Sequence, residues 1–222
     1  MNERALVAAG VTVVAVDGGF SVTCGERDWL RAVLVCFGFA VRVQGGDLVV
    51  ATADRERLQH ALAATFVPAA ALFDLDGVLM DLGRGRPLVE PAVLQRLAST
   101  RPIGVVTTCP REMAEAALEH CGLRALCSAV VSSDDGPSKP DPFPVRLALE
   151  RLGAATGWML GDNPSDVRAA RAAGVLPFAV APRGIGAESH ADRLRSAGAL
   201  RLLPDAATFA ALCGERPVVG GA

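Results

Sequence analysis

Two carboxylates, Asp74 and Asp76, stand at the end of an apolar run and ahead of a glycine in Ala-Ala-Leu-Phe-Asp-Leu-Asp-Gly-Val-Leu-Met-Asp, residues 70–81. Side chains two apart on an extended chain share a face. The pair then converges on one small volume, where like charges call for a cation or a proton between them. An apolar run stopped by a glycine turn reads as a buried strand ending at an active-site edge. Asp followed by Gly is also ordinary turn chemistry, and on these residues alone both readings stand. A second stretch, Ile-Gly-Val-Val-Thr-Thr-Cys-Pro-Arg at 103–111, sets Thr107 and Thr108 at the end of another apolar run. A hydroxyl there, backed by the amides that open a helix, makes a cradle for phosphate oxygens. The alternative is a strand residue followed by a helix cap. Cys109 reads as a loop thiol, since no histidine is near it in sequence.

From Ala70 onward apolar runs alternate with helical patterns, the sign of a doubly wound, Rossmann-like parallel sheet with helices on both faces. Strands are expected at Ala70–Asp74, Ile103–Thr107, Ala129–Ser132, Gly157–Gly161 and Leu176–Val180. Helices are expected at Pro91–Ala98, Arg111–Cys121, Phe143–Leu152 and Ser165–Ala173. Beyond them come a helix at Ala187–Ala197, a strand at Ala199–Leu203 and a helix at Ala206–Leu212. The polar residues gather where strands end, which is where open parallel sheets place their ligand crevice. His120 and His190 read as surface residues.

Residues 1–67 form a different unit, a small α+β domain of two strand-strand-helix repeats. A shift of about 28 positions aligns Gly10 with Gly38, Val13 with Val41, Gly18 with Gly46, Arg27 with Arg55 and Leu30 with Leu58. Each repeat predicts a hairpin with a glycine pair at its turn and then a helix opened by acids. His60 reads as a surface residue, and Pro68 marks the boundary with a second domain spanning 68–222.

The whole chain has 222 residues, 51% of them hydrophobic, enough to bury a sizeable core. A net charge of -2 with dispersed basic residues argues against a nucleic-acid partner, and the absence of tyrosine removes a base-stacking platform. The six cysteines include no Cys-x-x-Cys pair and read as reduced, small apolar residues of a cytoplasmic protein. The apolar segment at 6–16 is far shorter than the roughly 20 residues of a membrane span, so no membrane association is expected.

Residues 70–81 also resemble motif I of the haloacid dehalogenase superfamily, the Asp-x-Asp-Gly-x-hydrophobic-x-Asp pattern of its phosphatases. Three further stretches resemble its remaining motifs in the same order: 103–111; Ser-Lys-Pro-Asp-Pro at 138–142; and Leu-Gly-Asp-Asn-Pro-Ser-Asp at 160–166. Thr108 departs from the pattern, standing where many relatives have Asn. The resemblance implies a Mg2+-dependent phosphatase. In it Asp74 is the nucleophile that forms an aspartyl-phosphate and Asp76 the general acid and base. Thr107, Thr108 and Lys139 hold the phosphoryl group, and the metal site draws on Asp74, Asp76 (through its carbonyl), Asp162 and Asp166. Asp166 would bind a metal water or orient Lys139. An acid at position 76 sets the chain apart from the superfamily's dehalogenases.

Relatives of this type usually carry a helical cap after motif I. Here about thirty residues separate Asp74 from Thr107, room for a loop at 82–88 and one helix. The site is therefore expected to be open, covered by the repeat domain, a second subunit or a large substrate. A sugar phosphate, a phosphorylated amino-acid precursor and a phosphorylated protein all remain as substrates, and exposed sheet edges leave a homodimer open. The other function classes are a binding or assembly protein on the same scaffold and a phosphotransferase, against which the missing cap counts.

Overall fold

A computed structural model of the protein describes residues 6, 7, 9–66 and 68–215, and these divide into two compact units between Pro68 and Ala69. In the first unit, strands β1 (Thr12–Val16) and β2 (Gly19–Thr23) form a hairpin followed by helix α1 (Arg27–Cys36). Strands β3 (Ala40–Gln44) and β4 (Asp47–Ala51) then form a second hairpin, followed by α2 (Arg55–Phe66). The sheet is antiparallel in the order β1-β2-β4-β3, with the second strand of each hairpin at the centre. Register aligns Val13 with Val22, Val22 with Leu48 and Leu48 with Val43, so alternate residues build one apolar face. That face packs with Leu30 and Leu34 of α1 and Leu58, Leu62 and Phe66 of α2 in one core. On the other face Asp47 accepts hydrogen bonds from Thr23 (2.9 Å) and Ser21 (3.4 Å). Gly19 is needed for space, because a Cβ there would lie 2.0 Å from the Val50 carbonyl oxygen across the β2–β4 pair.

The second unit is the parallel sheet. Strand β5 (Ala70–Phe73) leads into a short hairpin, β6 (Met80–Asp81) and β7 (Arg86–Pro87), then α3 (Pro91–Ala98) and β8 (Ile103–Val106). There follow α4 (Arg111–His120), β9 (Ala129–Val131), α5 (Phe143–Arg151), β10 (Gly157–Gly161), α6 (Pro164–Ala172) and β11 (Leu176–Val180). Helix α7 (Ala187–Ala197), β12 (Arg201–Leu203) and α8 (Ala206–Gly214) complete it. The order is β12-β11-β10-β5-β8-β9. From β5 the chain winds outward through β8 and β9, then returns to β10 on the other side of β5. The reversal of direction opens a crevice at the carboxyl ends of β5 and β10.

Both faces of this sheet are covered, so its strands from β5 to β11 are apolar throughout rather than alternating, and only the edge strand β12 carries an exposed charge, Arg201. On one face Leu72, Val106, Val131 and Met159 pack against Val145, Ala148 and Leu149 of α5 and Ala169 and Ala170 of α6. The opposite-facing Phe73, Trp158 and Phe178 gather around Phe209 of α8, with ring centroids 5.1 Å apart for Phe73–Phe209 and 5.4 Å for Phe178–Phe209. In the segment 82–88, expected as a loop, residues 82–85 form the turn of a two-stranded hairpin and Arg86–Pro87 its second strand, β7, paired with β6. Cys121, Cys127 and Cys213 are buried, whereas Cys24, Cys36 and Cys109 are half-buried, and all six are free thiols. Among the described residues no helix is long and apolar enough to cross a membrane.

Candidate active site

Asp74 is the first residue past β5. Its N–H still donates to Leu160 O of β10 at 2.9 Å, which holds its backbone in line with the strand. From Leu75 the chain turns: Leu79 and Met80 N–H both return to Leu75 O, at 2.9 and 3.0 Å, and Gly77 N–H donates to Met80 O at 2.7 Å. Strand alternation therefore reaches Asp74 but not Asp76. Asp74 is buried, while Asp76 is exposed and its carboxylate accepts from Leu82 N–H at 2.9 Å, bracing the hairpin.

The partners of Asp74 come from elsewhere in the chain. Lys139, its side chain 2% exposed, donates to Asp74 Oδ1 (2.8 Å) and Val106 O (2.9 Å) and pairs with Asp166 Oδ1 at 2.7 Å. Those three acceptors use all three of its N–H donors. The second oxygen of Asp166 accepts the amides of Asp162 (3.1 Å) and Asn163 (2.9 Å), the acid's half of a capping box at the start of α6. Asp166 is thus both helix cap and ion-pair partner of Lys139. Carboxylate oxygens of Asp74, Asp162 and Asp166 all lie within 4.8 Å of one another. Asp76 is not one of this group.

Two glycines let the acids meet. A Cβ on Gly77, whose φ is +78°, would lie 2.0 Å from Asp162 Oδ2, and one on Gly161 would lie 2.3 Å from Asp166 Cβ. On the β8 side Thr107 is buried, its N–H bonded to Val131 O at 2.9 Å and its hydroxyl oxygen accepting Cys109 N–H at 3.1 Å. The Thr107 O–H proton still has to find an acceptor. Thr108 is exposed.

Charge in the cluster is unbalanced, three carboxylates against one ammonium. Burial pulls the Lys139 pKa down, but Asp74 and Asp166 outweigh it and the ammonium is held above its ordinary range. Burial, then the Asp166 carboxylate, push Asp74 up to about 7 against the pull of Lys139. The same two causes push Asp162 up to about 6. These directions agree, because one cation shared between acids is over-stabilised while the acids stay under-compensated. An all-oxygen donor set starved of positive charge fits a hard divalent cation such as Mg2+.

His190 of α7 was missed from the sequence. It is half-buried, and its Nε2 lies 2.7 Å from Asp162 O, while Nδ1 lies 2.9 Å from Arg193 Nη2. A carbonyl only accepts and a guanidinium only donates, so the hydrogen bonds pair Nε2 as donor with Asp162 O and Nδ1 as acceptor with Arg193. A solitary histidine on a polar helix gives no signal of this contact, which depends on where α7 lands.

The family model for haloacid dehalogenase-like hydrolases matches residues 21–174. The chain belongs to that family. It is 41% identical over 110 residues to phosphoglycolate phosphatase of Rhodospirillum rubrum, covering 48% of this chain and 44% of that one. It is 44% identical over 82 residues to pyrophosphatase PpaX of Bacillus velezensis, covering 36% of this chain and 38% of that one. The chain thus spans less than half the length of these two curated relatives. A solved haloacid dehalogenase-like family hydrolase from Streptococcus pneumoniae shares the fold, with TM-score 0.53 at 16% identity over 65% of this chain and 98% of that one.

Proposed function

We propose that this hydrolase is a Mg2+-dependent phosphatase that cleaves a phosphomonoester of a small metabolite through an aspartyl-phosphate on Asp74. The observation that carries the reading is the buried Asp74–Lys139–Asp166 chain beside Asp162, at the crevice between β5 and β10. Asp74 and Asp162 would hold the ion, with the Asp76 carbonyl, as the family resemblance implies. Asp166, both of whose oxygens are engaged, stands behind them as a positioning residue. When bound there, Mg2+ supplies positive charge against the phosphoryl oxygens.

The chain's own residues supply the rest. Lys139 grips Asp74 Oδ1 and fixes the rotation of the carboxylate, while its charge faces the incoming phosphoryl group. Asp74 attacks phosphorus as the bond to the leaving oxygen breaks, and Asp76 delivers its proton to that oxygen. Water then attacks the aspartyl-phosphate, Asp76 takes its proton back, and inorganic phosphate leaves with Asp74 restored. The exposure of Asp76 suits a group that must meet both leaving oxygen and water. Thr107 directs its O–H at a phosphoryl oxygen, with Thr108 at the mouth. The phosphoglycolate phosphatase and pyrophosphatase relatives support a small phosphorylated substrate, and the 1–67 and 68–222 division is proposed as a repeat domain joined to a catalytic domain.

The test is phosphate release from a panel of phosphorylated metabolites, with Mg2+ and with chelator, for the wild type and Asp74→Asn. Turnover that needs the metal and is lost in Asp74→Asn supports the reading. Turnover that survives Asp74→Asn overturns the assignment of the nucleophile.

A further inference from the structure

Toward β11 and β12, Asp162 borders a cavity of about 350 Å3 lined by Gly77, Arg86, Asp162, Arg183, His190 and Asp205 among others. That volume is typical of small-molecule sites, roughly 300–1,000 Å3. Its charged groups can be accounted for one by one. Asp205 caps α8, accepting Thr208 N–H at 2.7 Å and the Thr208 hydroxyl at 2.8 Å. Both nitrogens of His190 are engaged, as described above. Arg183 spends one donor on Pro204 O at 3.1 Å, and Arg86 Nε stands 3.6 Å from an Asp81 carboxylate that Arg84 already holds at 2.7 Å. A guanidinium has five N–H donors, so both arginines keep most of theirs. The wall therefore offers two cationic, fork-shaped donor groups, the geometry that suits phosphate and carboxylate.

We propose that this cavity is a second anion subsite, which takes the distal phosphate or carboxylate of a bis-anionic phosphomonoester whose reacting phosphoryl group sits at Asp74. The proposal rests on the phosphatase reading for the first group and adds the substrate class. Neighbouring strands lie about 4.8 Å apart. The near wall of the cavity, Asp162, has a carboxylate oxygen within 4.8 Å of one of Asp74, whereas its far wall at the end of β11 is two strands from β5 and thus about 10 Å from Asp74 along the sheet edge. An ester whose anions are separated by two or three bonds does not span that gap, whereas a six-carbon chain with an anion at each end does. Asp162, a proposed ligand of the ion, forms the wall between the two sites. Its negative charge and that of Asp205, whose carboxyl the Thr208 bonds and then Arg183 hold down, offset the two arginines, so binding there rests on the guanidinium N–H donors that Arg86 and Arg183 keep rather than on a net positive wall.

The probes are fructose 1,6-bisphosphate, 6-phosphogluconate and fructose 6-phosphate, with the full chain in Mg2+. Two readouts are compared in wild type and Arg86→Gln/Arg183→Gln: kcat/KM for phosphate release, and calorimetric Kd measured in an Asp74→Asn background. The expected result is a bis-anion preference of about tenfold or more, in both readouts, that falls towards unity in the double variant and weakens with added salt. Preference for the bisphosphate names a distal phosphate, and preference for 6-phosphogluconate a carboxylate. Equal affinity for all three probes, or a preference untouched by the double variant, overturns the subsite. A preference in Kd without turnover by the wild type leaves the subsite standing and removes the phosphatase reading. Both arginines are exposed, so loss of folding does not confound the variant.

Discussion

Replacing Lys139 by Met keeps an unbranched apolar chain as far as the ε position and removes the one cation the cluster shares. Lys139 is 2% exposed and bonded to Asp74, Asp166 and Val106 O. Its loss therefore strands three carboxylates within 4.8 Å of one another. Breaking a buried pair from one side costs about 3–5 kcal/mol, because the surviving charge stays buried and unpaired. At about 2–4 °C per kcal/mol for a chain of this size, Tm should drop by roughly 10 °C in chelator at pH 8. The pH dependence follows from linkage. Asp74 and Asp162 already have folded pKa values of about 7 and about 6, above the unfolded value of 3.8. A carboxyl raised in this way stabilises the fold most below its unfolded pKa, and that contribution is lost as pH rises through the folded pKa. Losing Lys139 raises these values further, so the deficit of Lys139→Met should shrink towards pH 5 and widen towards pH 8. Thermal unfolding of both proteins across that range, with and without Mg2+, reads this directly, and Mg2+ should return part of the loss in the variant. A deficit under about 1 kcal/mol, the same at pH 5 and pH 8, would refute the argument that these acids share one ammonium.

Other perturbations separate site geometry from stability. Gly77→Ala forces an L residue to φ +78° with its Cβ 2.0 Å from Asp162 Oδ2; the expected cost is about 1–2 kcal/mol of stability, read by urea unfolding, with a fall in kcat of on the order of a hundredfold. Asp135 accepts from Ser132 N–H (2.8 Å), Arg151 (2.6 Å) and Arg111. Although burial opposes it, Arg151, the Ser132 amide and Arg111 hold its carboxyl down to about 2. That contribution is present above the unfolded pKa of 3.8 and lost as pH falls towards 2, so the stability gap between wild type and Asp135→Asn, about 1.5–3 kcal/mol at pH 7, should close between pH 5 and pH 2. Phe209→Ala empties the aromatic cluster with Phe73 and Phe178 and should cost about 3–5 kcal/mol by denaturant unfolding. Thr107→Val should lower kcat about tenfold or more and Thr107→Ser should restore most of it, since only the O–H is in question.

The strands of the parallel sheet were legible because both faces are buried and the runs are therefore apolar from end to end. The ends at Gly161, Val180 and Leu203 were legible too, whereas three others were not. Asp74, Thr107 and Ser132 read as strand ends, yet the strands stop at Phe73, Val106 and Val131. Asp74 and Thr107 keep a ladder hydrogen bond on one side only, to Leu160 O and Val131 O. A residue that leaves the ladder to serve a crevice looks the same in sequence as one that stays. The hairpin at 80–87 went unread because its strands are two residues long and its bonds, such as Arg84 to Asp81 at 2.7 Å, are local and polar. Lys139, Asp162 and Asp166, named through the family resemblance, come together beside Asp74, whereas His190, Arg86 and Arg183 carry no motif. Their relation to Asp162 arises only when β11, α7 and the hairpin are folded beside it.

This division has a physical basis. Asp74 and Asp162 stand where a strand, having buried both its faces, releases the chain at the crevice, and the closest approaches there are made by glycine because there is no room for a Cβ. Gly77 against Asp162 and Gly161 against Asp166 are of this kind. The groups proposed to choose the substrate sit one or two strands further out, on an exposed hairpin and at the loop after β11, where no steric demand limits the residue type. Arg86 and Arg183 could each be replaced without disturbing the sheet. The proposed roles put chemistry in the tightest contacts and selectivity in the loosest, so activity and specificity should separate by mutation: changes at the glycines lower turnover on every ester, and changes at the arginines reorder the esters.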